Sequence, residues 1–306
     1  MAIGQELLDG VFLGSIYALF ALGYTLVFGV LDIVNLAHSA VFMLGAVFAY
    51  SLVALHGVAF WLALPLAISG AGLVGAVIEL VALRPLRHRG APPIAALIST
   101  VGFAFICVAV VEQARPGTVF ALLWRRGANA ASFPPAAVPH TTYRLAGLTI
   151  PAPKLAILVA SIVVMVALWH LASRTRWGRA MRAVAESPRA ASLLGVDVDR
   201  VVLATVVGAS ALAGLAGILF AVAISNVSPY IGRDQVELRG LAVIVLGGMG
   251  NIPGTIIGGY VLGLVEVLAL VVFGSDARAG VAFAALFVML VVRPQGLLGV
   301  RMRERL

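Results

Sequence analysis

The chain has 306 residues, 62% of them hydrophobic and only 11% charged, with a mean hydropathy of +1.08. Soluble domains carry about 25% charged residues, so this composition excludes a soluble globular domain and points to long apolar helices in a bilayer. The formal net charge of +8 fits anionic lipid headgroups and a positive-inside bias rather than nucleic acid, and the single cysteine, Cys107, excludes an internal disulfide framework and any cysteine-based metal site.

Taken in chain order, candidate spans lie at about 10–30, 37–55, 59–83, 93–113, 155–172, 201–225, 239–273 and 279–292. Glu6 and Asp9 precede the first apolar run without any Lys or Arg, so that run is read as a retained span and not a cleaved signal. The polar cluster Asp32, Asn35, His38 and Ser39 separates the first two spans. It reads in two ways: an interfacial turn with Asn or Asp as helix cap, or a broken-helix site lining a pathway, because ionisable groups at membrane depth are costly and tend to serve function. No cysteine or second close histidine accompanies it, so metal ligation is not expected. Segment 114–153 carries Pro134, Pro135, Pro139, Pro151 and Pro153 and reads as an irregular extracytoplasmic loop.

Residues 174–200, RTRWGRAMRAVAESPRAASLLGVDVDR, form a charged island between apolar runs and hold six of the 21 basic residues. A solvated basic loop is the plain reading. The order of the segment supports a second one, a helix–turn–helix that docks a partner. Ser187 is placed to cap a helix, Pro188 to occupy its first turn and Gly195 to end it. The candidate docking residues are Arg182, Ala183, Glu186, Ala190, Ala191, Leu194 and Gly195.

The run 239–273 is too long for one crossing and breaks at Gly250-Asn251-Ile252-Pro253. Residues 239–249 are expected as a short or re-entrant half-helix and 252–273 as a full span. Gly250, Gly254 and Gly258 form a G-x-x-x-G-x-x-x-G ladder that lets helices approach closely. A second reading has the free amides at the start of the 252 helix facing an anionic group of a solute. The candidate pathway residues are therefore Asn35, His38, Gly247, Gly248, Gly250, Asn251 and Gly254. No Gly-Lys-Ser/Thr follows the glycines, so they are not a nucleotide-binding loop. Leu36–Gly45 (LAHSAVFMLG) matches Leu238–Gly247 (LRGLAVIVLG) at five of ten places, an echo of the duplicated halves common in transporters. Glu79, Glu112 and Glu266 are isolated acids in or near spans; Glu79 is expected to pair with the Arg84 cluster.

Orientation follows from the basic residues. Loop 84–92 (Arg84, Arg87, Arg89), the island and the tail (Arg293, Arg301, Arg303, Arg305) hold 13 of the 21 and are placed on the cytoplasmic side. The fold class is all-α, a polytopic helical membrane protein of one transmembrane domain spanning residues 1–306. It has nine crossings if 239–249 counts as one, and eight if that segment is re-entrant.

Four ordered stretches now define a resemblance: GSIYALFALGYTLVFGVLDIVNLAHS, AVAESPRAASLLGVDVDR, AVIVLGGMGNIPGTIIGGYVLG and VRPQGLLG. Together they resemble the LivH-type permeases of branched-chain amino acid ABC importers, over nearly the whole chain. One departure is local: the family often has His-Gly and then an acid where this chain has His38-Ser39-Ala40. The resemblance implies a non-enzymatic permease subunit of the bacterial inner membrane that carries no cofactor of its own. Its implied partners are a LivM-type second permease, two ATPases that bind ATP and Mg, and a periplasmic binding protein that selects the solute. Branched-chain or related amino acids are the implied cargo, although some relatives carry urea or amides. The competing class is a stand-alone secondary transporter or channel, for which His38 and Glu266 are the candidate couplers.

Overall fold

The computed structural model describes residues 2–114, 124, 130–134, 141–145, 148–274, 277–293 and 295–299. Helices come first: α1 (Ala2–Leu31), α2 (Ala37–Tyr50, continued by a π-turn at Ser51–Leu55), and α3 (Phe60–Val77, continued through Ile78–Leu83 into α4, Arg84–His88). Then follow α5 (Pro93–Glu112), α6 (Ala152–Arg174), α7 (Arg176–Glu186), α8 (Pro188–Leu193) and α9 (Val198–Ile224). A π-turn at Arg233–Glu237 leads into α10 (Leu238–Gly247), and α11 (Ile252–Phe273) and α12 (Ala277–Val292) close the chain. Among the described residues four short strands complete it: β1 (Ala131–Ser132) pairs with β4 (Asn226–Val227), and β2 (Thr142–Leu145) with β3 (Leu148–Pro151). The expected irregular loop 114–153 thus holds a hairpin and a strand among its described residues; Pro135 and Pro139 lie outside them, as do the tail arginines 301, 303 and 305.

Among the described residues, seven helices are long and apolar enough to cross a membrane. They pack antiparallel through small residues. Gly10 lies against Leu264, Gly14 against Tyr260 and Ala18 against Gly259, so α1 and α11 run in opposite directions at backbone contact. Gly75 meets Ser210 and Arg84 meets Asp199, which sets α3 antiparallel to α9 in the same way. One end of the bundle therefore gathers Arg84–His88, α7, α8, the 248–251 turn and Leu297–Leu298, whose amides donate to Leu246 O and Gly247 O. This is the basic end. Gln5, the β2–β3 hairpin, the β1–β4 pair and the start of α3 share the other end, where Gln5 bonds Thr149 and Phe133 bonds Ser225.

Two helices start in the middle of the bundle. His38, in the first turn of α2, and Gly240, in the first turn of α10, both pack on Phe20. Phe20 stands eleven residues from Leu31, about 16 Å at 1.5 Å per residue. α2 runs from there to the far end, and α10 runs to the basic end. The segment 225–247 is consequently one full traverse whose first half is irregular and whose second half is α10. It is not a re-entrant hairpin, because Asn226 and Gly248 sit at opposite ends. With α12 the described residues make nine traverses of the bundle, the higher of the two counts expected.

The packing repeats in inverted form. α1 packs along α11 as α9 packs along α3; α10 lies on α1 as α2 lies on α9; α12 covers α10 as α5 covers α2. The sequence echo between 36–45 and 238–247 thus marks equivalent half-helices of two oppositely oriented halves.

Candidate functional site

The basic end carries a built module. Thr175 caps α7, its Oγ1 accepting from Gly178 N at 3.3 Å, and Gly178 sits so close to Ala172 O that no side chain fits there. The elbow between α6 and α7 is closed further by Arg182, which donates to Ala172 O. Ser187 accepts from Ala190 N at 3.2 Å with Pro188 in the first turn of α8, and Gly195 ends the helix at φ +82°. Val196 N then returns to Ala191 O. These contacts realise the helix–turn–helix expected from the sequence.

Its outward face differs from the expected one. Ala191 is 1% exposed and faces the bundle, and Ala183 is half-buried. Glu186, Ala190 and Gly195 are exposed as expected. Leu193 and Leu194, at 88% and 82% exposure, form the apolar tip of the module. Ala191 turns inward because an alanine is small enough to bring α8 down onto the bundle. The module is steadied from the side by Asp199 at the start of α9, which receives Arg84 at 2.6 Å, Arg87 at 2.7 Å and His88 at 3.2 Å. Glu79 pairs with Arg87 at 2.9 Å, within the Arg84 cluster expected for it.

The candidate pathway residues fall into two groups. Gly247, Gly248, Gly250, Asn251 and Gly254 form the turn between α10 and α11. Gly247 and Gly254 touch backbone to backbone, Gly248 (φ +100°) packs on Gly296 and Gly299, and Gly250 takes φ +78°. Asn251 caps α11, its Oδ1 accepting from Gly254 N at 2.9 Å, while its Nδ2 donates to Leu298 O at 2.7 Å. Close packing and capping therefore account for these residues. One side of the turn still borders a cavity of about 400 Å³ shared with Thr25, Gly29, Trp169 and Arg182.

Asn35 and His38 lie deep in the bundle. Asn35 Oδ1 accepts from Ala37 N at 3.1 Å in the turn that leads into α2, whose N-cap position is Leu36. His38 is 1% exposed, stacked among Phe20 and Tyr24, with Nε2 3.1 Å from Phe20 O. Both serve the broken start of α2. Glu266 is a link between helices: Arg239 Nε lies 2.5 Å from its Oε1 and Tyr17 Oη donates to its Oε2 at 2.8 Å.

Sequence reading missed Arg233, Asp234 and Glu237. Glu237 Oε2 lies 3.2 Å from Ser39 Oγ, so the second irregular segment meets the first at half depth. The acid absent at Ala40 on α2 has a counterpart here, since Glu237 enters the groove that Ala40 lines. The available signal was the run RDQVE, three charges directly before a ten-residue apolar helix.

A polytopic bundle of two inverted halves, with broken helices meeting at its centre and a capped two-helix module at one end, defines the transport subunit of a membrane importer. The sequence comparisons agree. The model of the family described as branched-chain amino acid transport system permease component matches residues 6–292, and the chain belongs to that family. It is 34% identical to the high-affinity branched-chain amino acid transport system permease protein LivH of Escherichia coli (strain K12), covering 96% of this chain and 95% of that protein. It is 33% identical to the corresponding permease protein BraD of Pseudomonas aeruginosa, again over 96% and 95% of the two chains. A probable LivH of Methanocaldococcus jannaschii is 28% identical over 97% and 94%. No solved structure gives a significant match. The protein is thus a multi-pass inner-membrane permease component of the branched-chain amino acid ABC transporter family, and a stand-alone carrier or channel is not supported.

Proposed function

We propose that this chain forms half of the translocation pathway of an importer that carries branched-chain or related amino acids delivered by a periplasmic binding protein. A second, LivM-type permease stands beside it. Two ATPases, which bind and hydrolyse ATP with Mg, dock beneath residues 174–200, so the basic end is cytoplasmic. The observation that carries this reading is the Leu193–Leu194 tip: two leucines held almost fully exposed by a capped helix, at the end of the molecule where basic residues collect. Apolar side chains presented so rigidly suit a pocket on a partner surface, with Glu186 and Ala190 at its margin. Family membership supports the amino-acid cargo and the importer assembly.

The test is a double substitution, Leu193→Asp with Leu194→Asp, in the chain co-expressed with its partner subunits. The permease should still reach the membrane, the ATPases should no longer co-purify with it, and leucine uptake should fall to background. Wild-type uptake by this variant would sink the docking assignment. Competition by unlabelled leucine, valine and urea against labelled leucine checks the cargo; inhibition by urea alone would overturn it.

A further inference from the structure

A groove opens on the face of the bundle between α2, α5 and the segment 229–237. Ser39, Arg233 and Glu237 form its polar floor, Met43 and Phe105 its apolar walls, and Tyr230 its rim toward the far end. Its floor lies at half depth, because Glu237 immediately precedes α10, whose Gly240 packs on Phe20 and Tyr24. Arg233 and Asp234 nevertheless have 62% and 55% of their side chains exposed, their charged groups 3.6 Å apart. Charged side chains open to hydrocarbon at this depth are costly, so this face meets water or protein and not lipid. Buried polar atoms around the junction also lack partners. Tyr24 Oη, within electrostatic reach of Glu237, and Asn35 Nδ2 have no hydrogen-bond partner among the described residues, although each residue is only 1% exposed.

The groove encloses about 90 Å³, well short of the roughly 300–1,000 Å³ of a complete small-molecule site. One chain supplies only one wall. We propose that the groove is the amino-acid-reading wall of the pathway, completed by the second permease subunit. Glu237 takes the ammonium of a passing zwitterion, Arg233 takes its carboxylate, and the aliphatic side chain slides over Met43 and Phe105. The inference rests on the amino-acid permease reading and adds to it the chemistry by which the membrane subunit recognises the α-amino-acid head. The opposite charges of floor and solute match in a site shielded from bulk water, where each ion would otherwise lose its hydration uncompensated. Because Arg233 is paired with Asp234 when no solute is present, binding exchanges one partner for another and the site stays weak enough to release.

The experiment uses the complete importer in proteoliposomes, with liganded binding protein at saturation, and measures leucine uptake and ATP hydrolysis together. Arg233→Gln removes a charge at an exposed position, and Glu237→Gln keeps the shape of the floor. Each should lower uptake about tenfold, the cost of leaving a solute charge unmatched. ATP hydrolysis stimulated by the binding protein should stay within about twofold of wild type, so that transport per ATP falls. Glu237→Asp should restore most of it. Unchanged transport per ATP in Arg233→Gln would overturn the inference, as would uptake and hydrolysis falling in proportion, which marks a coupling or assembly defect. A wild-type importer that moves leucine alongside unaffected variants refutes this site alone; one that moves no amino acid refutes the amino-acid reading as well.

Discussion

Gly254 has room for a hydrogen atom and nothing larger, because a Cβ there would overlap Gly247 O. The glycine ladder read from the sequence is therefore a packing device at this position. Gly254→Ala should destabilise the α10–α11 contact by about 1–3 kcal/mol, and Gly254→Leu by more, since backbone cannot give way as a side chain can. A thermal-shift measurement on detergent-purified complex checks this, and an unchanged melting temperature in Gly254→Leu would contradict the contact. Glu266 presents the opposite case, a charge with no exposed surface held by Arg239 and Tyr17. Removing one member of such a pair leaves the other ion uncompensated, at a cost of about 3–5 kcal/mol. Arg239→Met should thus be poorly tolerated, whereas Arg239→Met combined with Glu266→Leu should regain much of the folded yield. Equal yields for the single and double variants would show that the pair contributes nothing.

Local chemistry at the ends of α8 is legible in the sequence. Ser187, Pro188 and Gly195 act within a few residues of themselves, and the structure has each in its expected role. The rotation of α8 was not legible, because alanines at 190 and 191 suit a buried and an exposed face equally well, and only packing on the bundle decides. The same limit hid the floor of the groove. Arg233, Asp234 and Glu237 look like the charges of any surface turn until the fold carries them to half depth. The spans themselves were legible because apolar length is a property of the segment alone, and the break before Pro253 for the same reason. At this scale the caps make a further prediction. Ser187→Ala removes the acceptor for Ala190 N and should cost α8 about 1 kcal/mol. Protease susceptibility of residues 187–195 in the isolated permease should rise, and an unchanged cleavage rate would argue that packing alone holds the helix.

Across the whole molecule, the basic end and the hairpin end must face opposite compartments. Cys107 is the single cysteine and is buried, so a Cys107→Ala background is silent to an impermeant thiol reagent. In intact cells, Tyr143→Cys on the exposed β2 strand should label from outside, and Ser187→Cys only after permeabilisation. The reverse pattern would invert the molecule. Four traverses bring a chain back to the side from which it started, so two halves of four could follow one another only in the same orientation. Opposite orientation demands an odd number between them, and α6 is that added crossing, the span with the smallest buried share of the seven. Parity thus fixes where the seam of the molecule emerges. α6 delivers the chain to the basic end at Arg174, and α7 and α8 are spliced in there, between this added crossing and the first helix of the inverted second half. Leu193 and Leu194 therefore stand at the joint that connects the two halves through the chain, so a partner seated there as proposed would bear on both.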